Sequence, residues 1–150
     1  MNLTQKVITE IAHAPVAAGA TDVTDCKVID MQNFEGVRFI VGLGTLTSGA
    51  VTSINVLQAD AKASGTALTA GADLAGTKVA AVDTGDNKVY IVDVYRPTKR
   101  YVQLLIKRAT QNAVVDLAIA EKYGARVLPV TQDADVGASE VHTSPAEGTA

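Results

Sequence analysis

The sequence predicts an all-β protein, an antiparallel β-sandwich or jelly-roll-like barrel with extended N- and C-terminal arms. Three observations lead there. Two runs rich in β-branched and aromatic residues, residues 88–95 and 101–109, flank a proline at position 97, which is the composition of neighbouring strands. The chain is 47% hydrophobic but only 4% aromatic, so small and β-branched side chains supply the core, as suits pleated sheets better than a helical bundle. Short Gly-, Ser-, Thr- and Asn-marked segments separate the apolar runs, as turns separate strands.

Residues 1–20 begin with a weak apolar pattern (Leu3, Val7, Ile8, Ile11) and pass into Ala-Pro-Val-Ala-Ala-Gly-Ala, too small and smooth to pack tightly. We read residues 1–21 as an N-terminal arm and residues 22–130 as one β-sandwich domain, a size that sustains a core without disulfide or metal. The alternation in Cys26-Lys-Val-Ile-Asp-Met31 predicts a strand, and Val37, Phe39 and Val41 predict a second with Arg38 on its opposite face. The two are expected to pair through the turn at Met31-Gln32-Asn33. Residues 42–49 read as a Gly/Thr/Ser connector, residues 51–58 as a strand burying Ile54 and Val56, and residues 59–76 as a long surface loop with almost no large apolar side chain. Residues 77–82 predict a short strand and Asp83 to Asn87 a turn.

The next pair organises the domain. Val102, Leu104 and Ile106 share a face, with Arg100 and Arg108 ending the same row, so that face is expected to be buried in its middle and charged at its rims. In the preceding run Tyr90, Val92 and Val94 oppose Val89, Ile91, Asp93 and Tyr95. Both faces are largely apolar, which suits a central strand or one covered by a second subunit. Pro97 reverses the chain between the runs, and a β-hairpin is expected. In residues 112–122, Val115, Leu117 and Ile119 fit a strand, while Ala118, Ala120, Glu121 and Lys122 before Gly124 fit a short helix; the reversal at Thr110-Gln111-Asn112 favours the strand. Residues 126–130 read as a last edge strand, where Pro129 is tolerated. Residues 131–150 are acidic and small, a tail expected to be flexible alone or laid as a strap along a neighbour.

A net charge of −3 argues against a dedicated nucleic-acid binder, and no segment has the roughly 20 apolar residues that span a bilayer. The first twelve residues carry Lys6 and Glu10 without a long apolar run, unlike a secretory signal. Synthesis in a cytoplasm is the expectation. Cys26 is the single cysteine and alternates with Val28, so it reads as a small buried hydrophobe. No cofactor or metal site is expected. Gly71 to Lys78 resembles a phosphate loop but transposes the final lysine and threonine and lacks the strand and helix such a loop joins. Gly42, Gly44 and Gly49 have the wrong spacing for a dinucleotide loop, and Asp83, Asp86 and Asn87 lack the distal glutamate of a calcium loop. His13 and His142 lie in the two arms with no triad partners nearby. The carboxylates are scattered singly, and the expected class is not an enzyme.

Charge is unevenly spread. Residues 88–108 hold Lys88, Arg96, Lys99, Arg100, Lys107 and Arg108 against Asp93, a local +5 that leaves −8 on the rest and suggests an electropositive edge facing something acidic. Tyr95, Arg96, Lys99, Arg100, Tyr101, Lys107 and Arg108 are the candidate interface residues, the tyrosines as anchors beside the charges.

The phrases Phe39-Ile-Val-Gly-Leu-Gly-Thr45, Gln58-Ala-Asp60, Asp73-Leu-Ala-Gly-Thr77 and Val92-Asp-Val-Tyr-Arg-Pro-Thr-Lys-Arg-Tyr101 resemble the small cement or decoration proteins of tailed bacteriophages. That resemblance, over residues 22–130, implies a jelly-roll or related β-sandwich on the outer surface of an icosahedral virion, made in a host bacterial cytoplasm. It implies a homodimer or homotrimer that clamps neighbouring major capsid proteins and stabilises the expanded shell. It implies no nucleic-acid or membrane partner. The alternative is a head-to-tail connector or tail protein that forms a ring.

Overall fold

Alternating side chains build two β-layers. In a computed structural model, residues 2–82, 84–143 and 146–148 are described, and among them strands and turns occur without helix. The strands are β1 (Ile8–His13), β2 (Val16–Gly19), β3 (Val28–Asp30), β4 (Gly36–Leu46), β5 (Val51–Ala59), β6 (Ala61–Ser64), β7 (Ala67–Thr69), β8 (Ala72–Asp73), β9 (Val79–Ala81), β10 (Lys88–Tyr95), β11 (Tyr101–Ala109) and β12 (Ala113–Tyr123). Sheet A runs β1-β12-β4-β10, with β2 also on β12; sheet B runs β3-β11-β5-β8, with β9 also on β5. Every pairing is antiparallel. The result is an open β-sandwich rather than a closed barrel.

The core lies between the sheets. Val37, Phe39, Val41 and Leu43 of β4, with Val92 and Val94 of β10, face Ile54 and Val56 of β5 and Val102, Leu104 and Ile106 of β11. Burying each large side chain of this kind contributes about 1.5–3 kcal/mol, and its alternation with exposed residues sets which face of each strand turns inward.

The two strands around Pro97 are present, but they do not form a hairpin. β10 pairs with β4 in sheet A, and β11 pairs with β3 and β5 in sheet B. Both strands are needed by the core from opposite sides, and residues 96–100 have the reach to cross the ~10 Å between packed sheets. The expected pairing of β3 with β4 is likewise replaced by a crossing: β3 sits in sheet B, β4 in sheet A, and residues 31–35 join them at the same end as residues 96–100.

Other elements differ from expectation in instructive ways. β4 continues through Gly42 and Gly44, read as connector, because β10 and β12 pair with it on both sides there; a Cβ at Gly44 would meet Asp116 Oδ1 at 2.7 Å. The exposed stretch after β5 holds the short strands β6, β7 and β8. Residues 113–123 form a strand, as favoured, but register shifts near Val115 change its inward face, so Ala118 and Ala120 are buried while Leu117 and Ile119 turn outward. Residues 126–130 form no strand; Val127 is exposed and the Leu128–Pro129 peptide is cis. Asp83 of the expected turn lies outside the described residues.

The segment read as an N-terminal arm is built into sheet A, where β1 and β2 pair with β12 and Ala12 is buried. The start of the tail straps over the outer edge of β1. Gln132 Nε2 donates to the carbonyls of Thr4 and Val7 at 2.7 Å each, Thr9 N donates to Gln132 Oε1 at 3.1 Å, and Ile11 N donates to Asp135 Oδ2 at 3.0 Å. Lys27 fastens the strap, reaching Asp135 at 2.8 Å, Asp133 at 3.1 Å and the buried Glu10 at 3.0 Å. Glu10 also meets Lys122 at 2.5 Å, so its carboxylate is paired twice, as a buried charge requires.

Candidate functional site

The two inter-sheet crossings enclose an open recess of about 710 Å³ lined by residues 31–35 and 96–100 with Arg126 at its lip. Each crossing is held by its neighbour: Arg96 N donates to the carbonyl of Glu35 at 2.7 Å, Met31 N to that of Arg100 at 2.8 Å, and Arg126 N to that of Asn33 at 3.0 Å. Arg96 and Asn33 adopt left-handed backbone, with φ of 52° and 71°, which tightens both turns.

Four cations and two tyrosines converge here. Arg100 makes a two-pronged contact with Asp30, Nε to Oδ1 at 2.9 Å and Nη2 to Oδ2 at 2.6 Å, and Nη2 also reaches Gln32 Oε1 at 2.7 Å. This guanidinium holds the Asp30 carboxyl below the usual carboxylate range against the opposing effect of partial burial. Lys99 Nζ pairs with Asp60 at 2.8 Å and Arg96 approaches Glu35 at 3.9 Å. Arg96 stacks 5.0 Å over the Tyr95 ring and Arg100 5.0 Å over the Tyr101 ring, arrangements that cation–π attraction favours by about 0.5–1 kcal/mol at exposed sites. Tyr95 is 58% exposed. The corner is an open recess beside a surface of arginine and tyrosine side chains.

Of the seven residues singled out in the sequence, Tyr95, Arg96, Lys99, Arg100 and Tyr101 meet at this corner. Lys107 does not, because it lies six residues along β11, about 20 Å away at the rise of a strand. Arg108 is buried, not a rim charge. Its Nε donates to the carbonyl of Thr21 at 2.7 Å and its Nη1 to those of Ala17 and Ala113 at 2.9 Å each, so it pins the chain beyond β2 against β11 and β12. Arg126, read as part of a strand, joins the corner instead; only the folding of residues 124–130 across the sheet end brings it there.

A second surface is indicated in the sequence only at its β10 end. The outward side chains of sheet A stand in rows across its strands: Ile11, Ile119, Ile40 and Ile91 occupy directly paired positions on β1, β12, β4 and β10. The next row is polar, with Thr9, Glu121, Arg38 and Asp93. In it Arg38 is hydrogen-bonded to Glu121, and Asp93 accepts from Tyr123 Oη at 2.6 Å. Ile91 is 53% and Val89 63% exposed. The signal was the doubly apolar pattern of residues 88–95; β10 is an edge strand of sheet A, which removes the central-strand explanation of that pattern.

The remaining candidates resolve structurally. Cys26 is fully buried, and burial, with Asp25 adding to it, pushes its thiol up to about 12. Leu74 N donates to the carbonyl of Val56, and Val56 N donates to Thr77 Oγ1, which makes the Gly71–Lys78 stretch a connector fastened to β5. Asp86 Oδ1 accepts from Leu46 N at 2.8 Å. Among the described residues, no group of three or more His, Cys, Asp or Glu side chains is placed to hold a metal. Among the described residues no helix is long and apolar enough to cross a membrane. No family model and no curated protein matches the chain.

Proposed function

We propose that the chain is a structural virion protein that binds the outside of an icosahedral phage capsid and clamps neighbouring major capsid proteins, stabilising the expanded shell. The observation that carries this reading is the Tyr95–Arg96 and Tyr101–Arg100 corner: two stacked arginine–tyrosine pairs held on the ends of strands from opposite sheets. Tyrosine and arginine dominate the energetics of protein interfaces, and here their conformations are set before binding, which lowers the entropy lost on association. The net-positive corner favours an acidic shell surface and speeds encounter with it. Many weak clamps on one shell add through valency.

Co-sedimentation of the purified protein with expanded shells tests the assignment. Arg96→Glu with Lys99→Glu is expected to lower occupancy at least tenfold and to reverse its salt dependence, since added salt then screens repulsion, and Tyr95→Ala to lower occupancy without changing salt dependence. Both pairs of Arg96 and Lys99 are solvent-exposed, so the fold is expected to survive. Unchanged occupancy across salt would remove this corner from the interface; no binding by the unaltered protein would reject the reading.

A further inference from the structure

The two edges of sheet A are finished differently. The outward N–H groups of β1 at Thr9 and Ile11 are capped by Gln132 and Asp135. On the opposite edge, the bond from Arg96 N to the Glu35 carbonyl continues the β10–β4 ladder, and alternation along that ladder directs the main-chain groups of Val89, Ile91, Asp93 and Tyr95 away from β4. Among the described residues no strand and no hydrogen bond meets them there. The edge is eight residues long, without proline or bulge. Such an edge is a template for another strand, and the remaining edges of the sandwich are short strands or are capped.

We propose that β10 pairs antiparallel with β10 of a second copy, joining two A sheets into one continuous sheet. The occupant follows from the sequence of the edge. Pairing about a two-fold axis at Ile91 matches outward-bonding residues with one another, as a ladder requires. It places Ile91 opposite Ile91 of the second copy and Asp93 opposite Val89 of the second copy. The isoleucine row of one sheet then runs unbroken into that of the other. Centres at Val92 and at Asp93 also match outward-bonding residues, but the first sets Ile91 against Asp93 and breaks the isoleucine row, and the second sets two carboxylates face to face. The pairing needs no capsid, so its failure in solution would leave shell binding standing, and the reverse also holds.

Sedimentation velocity on the purified chain, from micromolar concentrations upward, tests this, with amide exchange as a second readout. The unaltered protein is expected to sediment at about twice its 15.5 kDa monomer mass, with slowed exchange at Val89, Ile91 and Asp93. Ile91→Lys and Ile91→Pro are expected to restore the monomer mass and free those amides. The Ile91 N–H is not used by β4, so proline there leaves the sheet A ladder intact. Ile11→Lys, at the capped edge of the same isoleucine row, is expected to remain dimeric. A monomer at every concentration, a dimer that survives both Ile91 substitutions, or a dimer lost equally in Ile11→Lys would overturn the proposal.

Discussion

Arg108 Nη1 donates to the carbonyl oxygen of Ala113 at 2.9 Å, across the corner where β11 turns into β12. The same nitrogen reaches Ala17 and Nε reaches Thr21, so one buried side chain satisfies three main-chain carbonyls from three parts of the chain. Truncation removes charge-assisted hydrogen bonds and strands those carbonyls away from water. Arg108→Ala is expected to lower stability by about 3 kcal/mol or more, read as a shift of the urea midpoint at constant slope. Arg108→Lys is expected to recover little, since an ammonium lacks the planar fork that serves carbonyls in different directions.

The strap over β1 is held by side chains standing in for a neighbouring strand. Removing the Gln132 amide leaves the carbonyls of Thr4 and Val7 and the N–H of Thr9 without their partners. Gln132→Ala is expected to cost about 1–3 kcal/mol, and amide exchange at Thr9 is expected to rise while that at Ile54, on the central strand β5, keeps its protection. Loss of protection spread evenly over both sheets would contradict a local role for the strap.

The acid limb of stability follows from Asp30 and Asp135. Hydrogen bonding to Arg100 and to Lys27 respectively holds both carboxyls below the ordinary carboxylate range. Their folded-state pKa values thus lie below the unfolded value of about 3.9. Their contribution is complete above that value and is lost as pH falls through the depressed folded values. Lys27 behaves oppositely. Burial alone would lower it, but bonds to Asp135, Glu10 and Asp133 outweigh burial and raise it, so its contribution is complete below about pH 10 and lost as pH rises beyond. Urea midpoints are expected to be level between about pH 5 and 8, above which the unfolded chain ionises Cys26 while the buried native thiol stays protonated, and Asp135→Asn is expected to weaken the acid fall and the part of the alkaline fall that belongs to Lys27.

Cys26 has no accessible surface and a thiol raised to about 12. Little thiolate forms and none meets solvent, so the native protein is expected to resist a disulfide reagent at pH 8 and to react fully once unfolded. Rapid reaction of the native protein would mean that the loop from β2 to β3 opens readily.

What could be read from the residues alone was which face each strand buries. Val37, Phe39 and Val41, or Val102, Leu104 and Ile106, announce an inward row by strict alternation. Which strand lies beside which was not legible, because a period of two is the same whether the chain turns back in one sheet or crosses to the other. Pro97 marks a reversal in either case. Arg108 shares its row with Arg100, yet one ends under the segment at residues 17–21 and the other at the surface, a difference set by where that distant segment packs. The tyrosine and arginine corner was legible as composition, since Tyr95 to Tyr101 are contiguous; Lys107 shares their charge but stands six residues along β11, toward the opposite end of the sheet.

Electron microscopy of capsid particles that carry the chain is the most direct test of the role proposed for it. The account predicts sandwich-shaped density repeated over the outer surface, bridging adjacent capsomers, with the Tyr95–Tyr101 corner against the shell. Particles bearing the protein only as a ring at a single vertex, or shells to which it contributes no density, would contradict it.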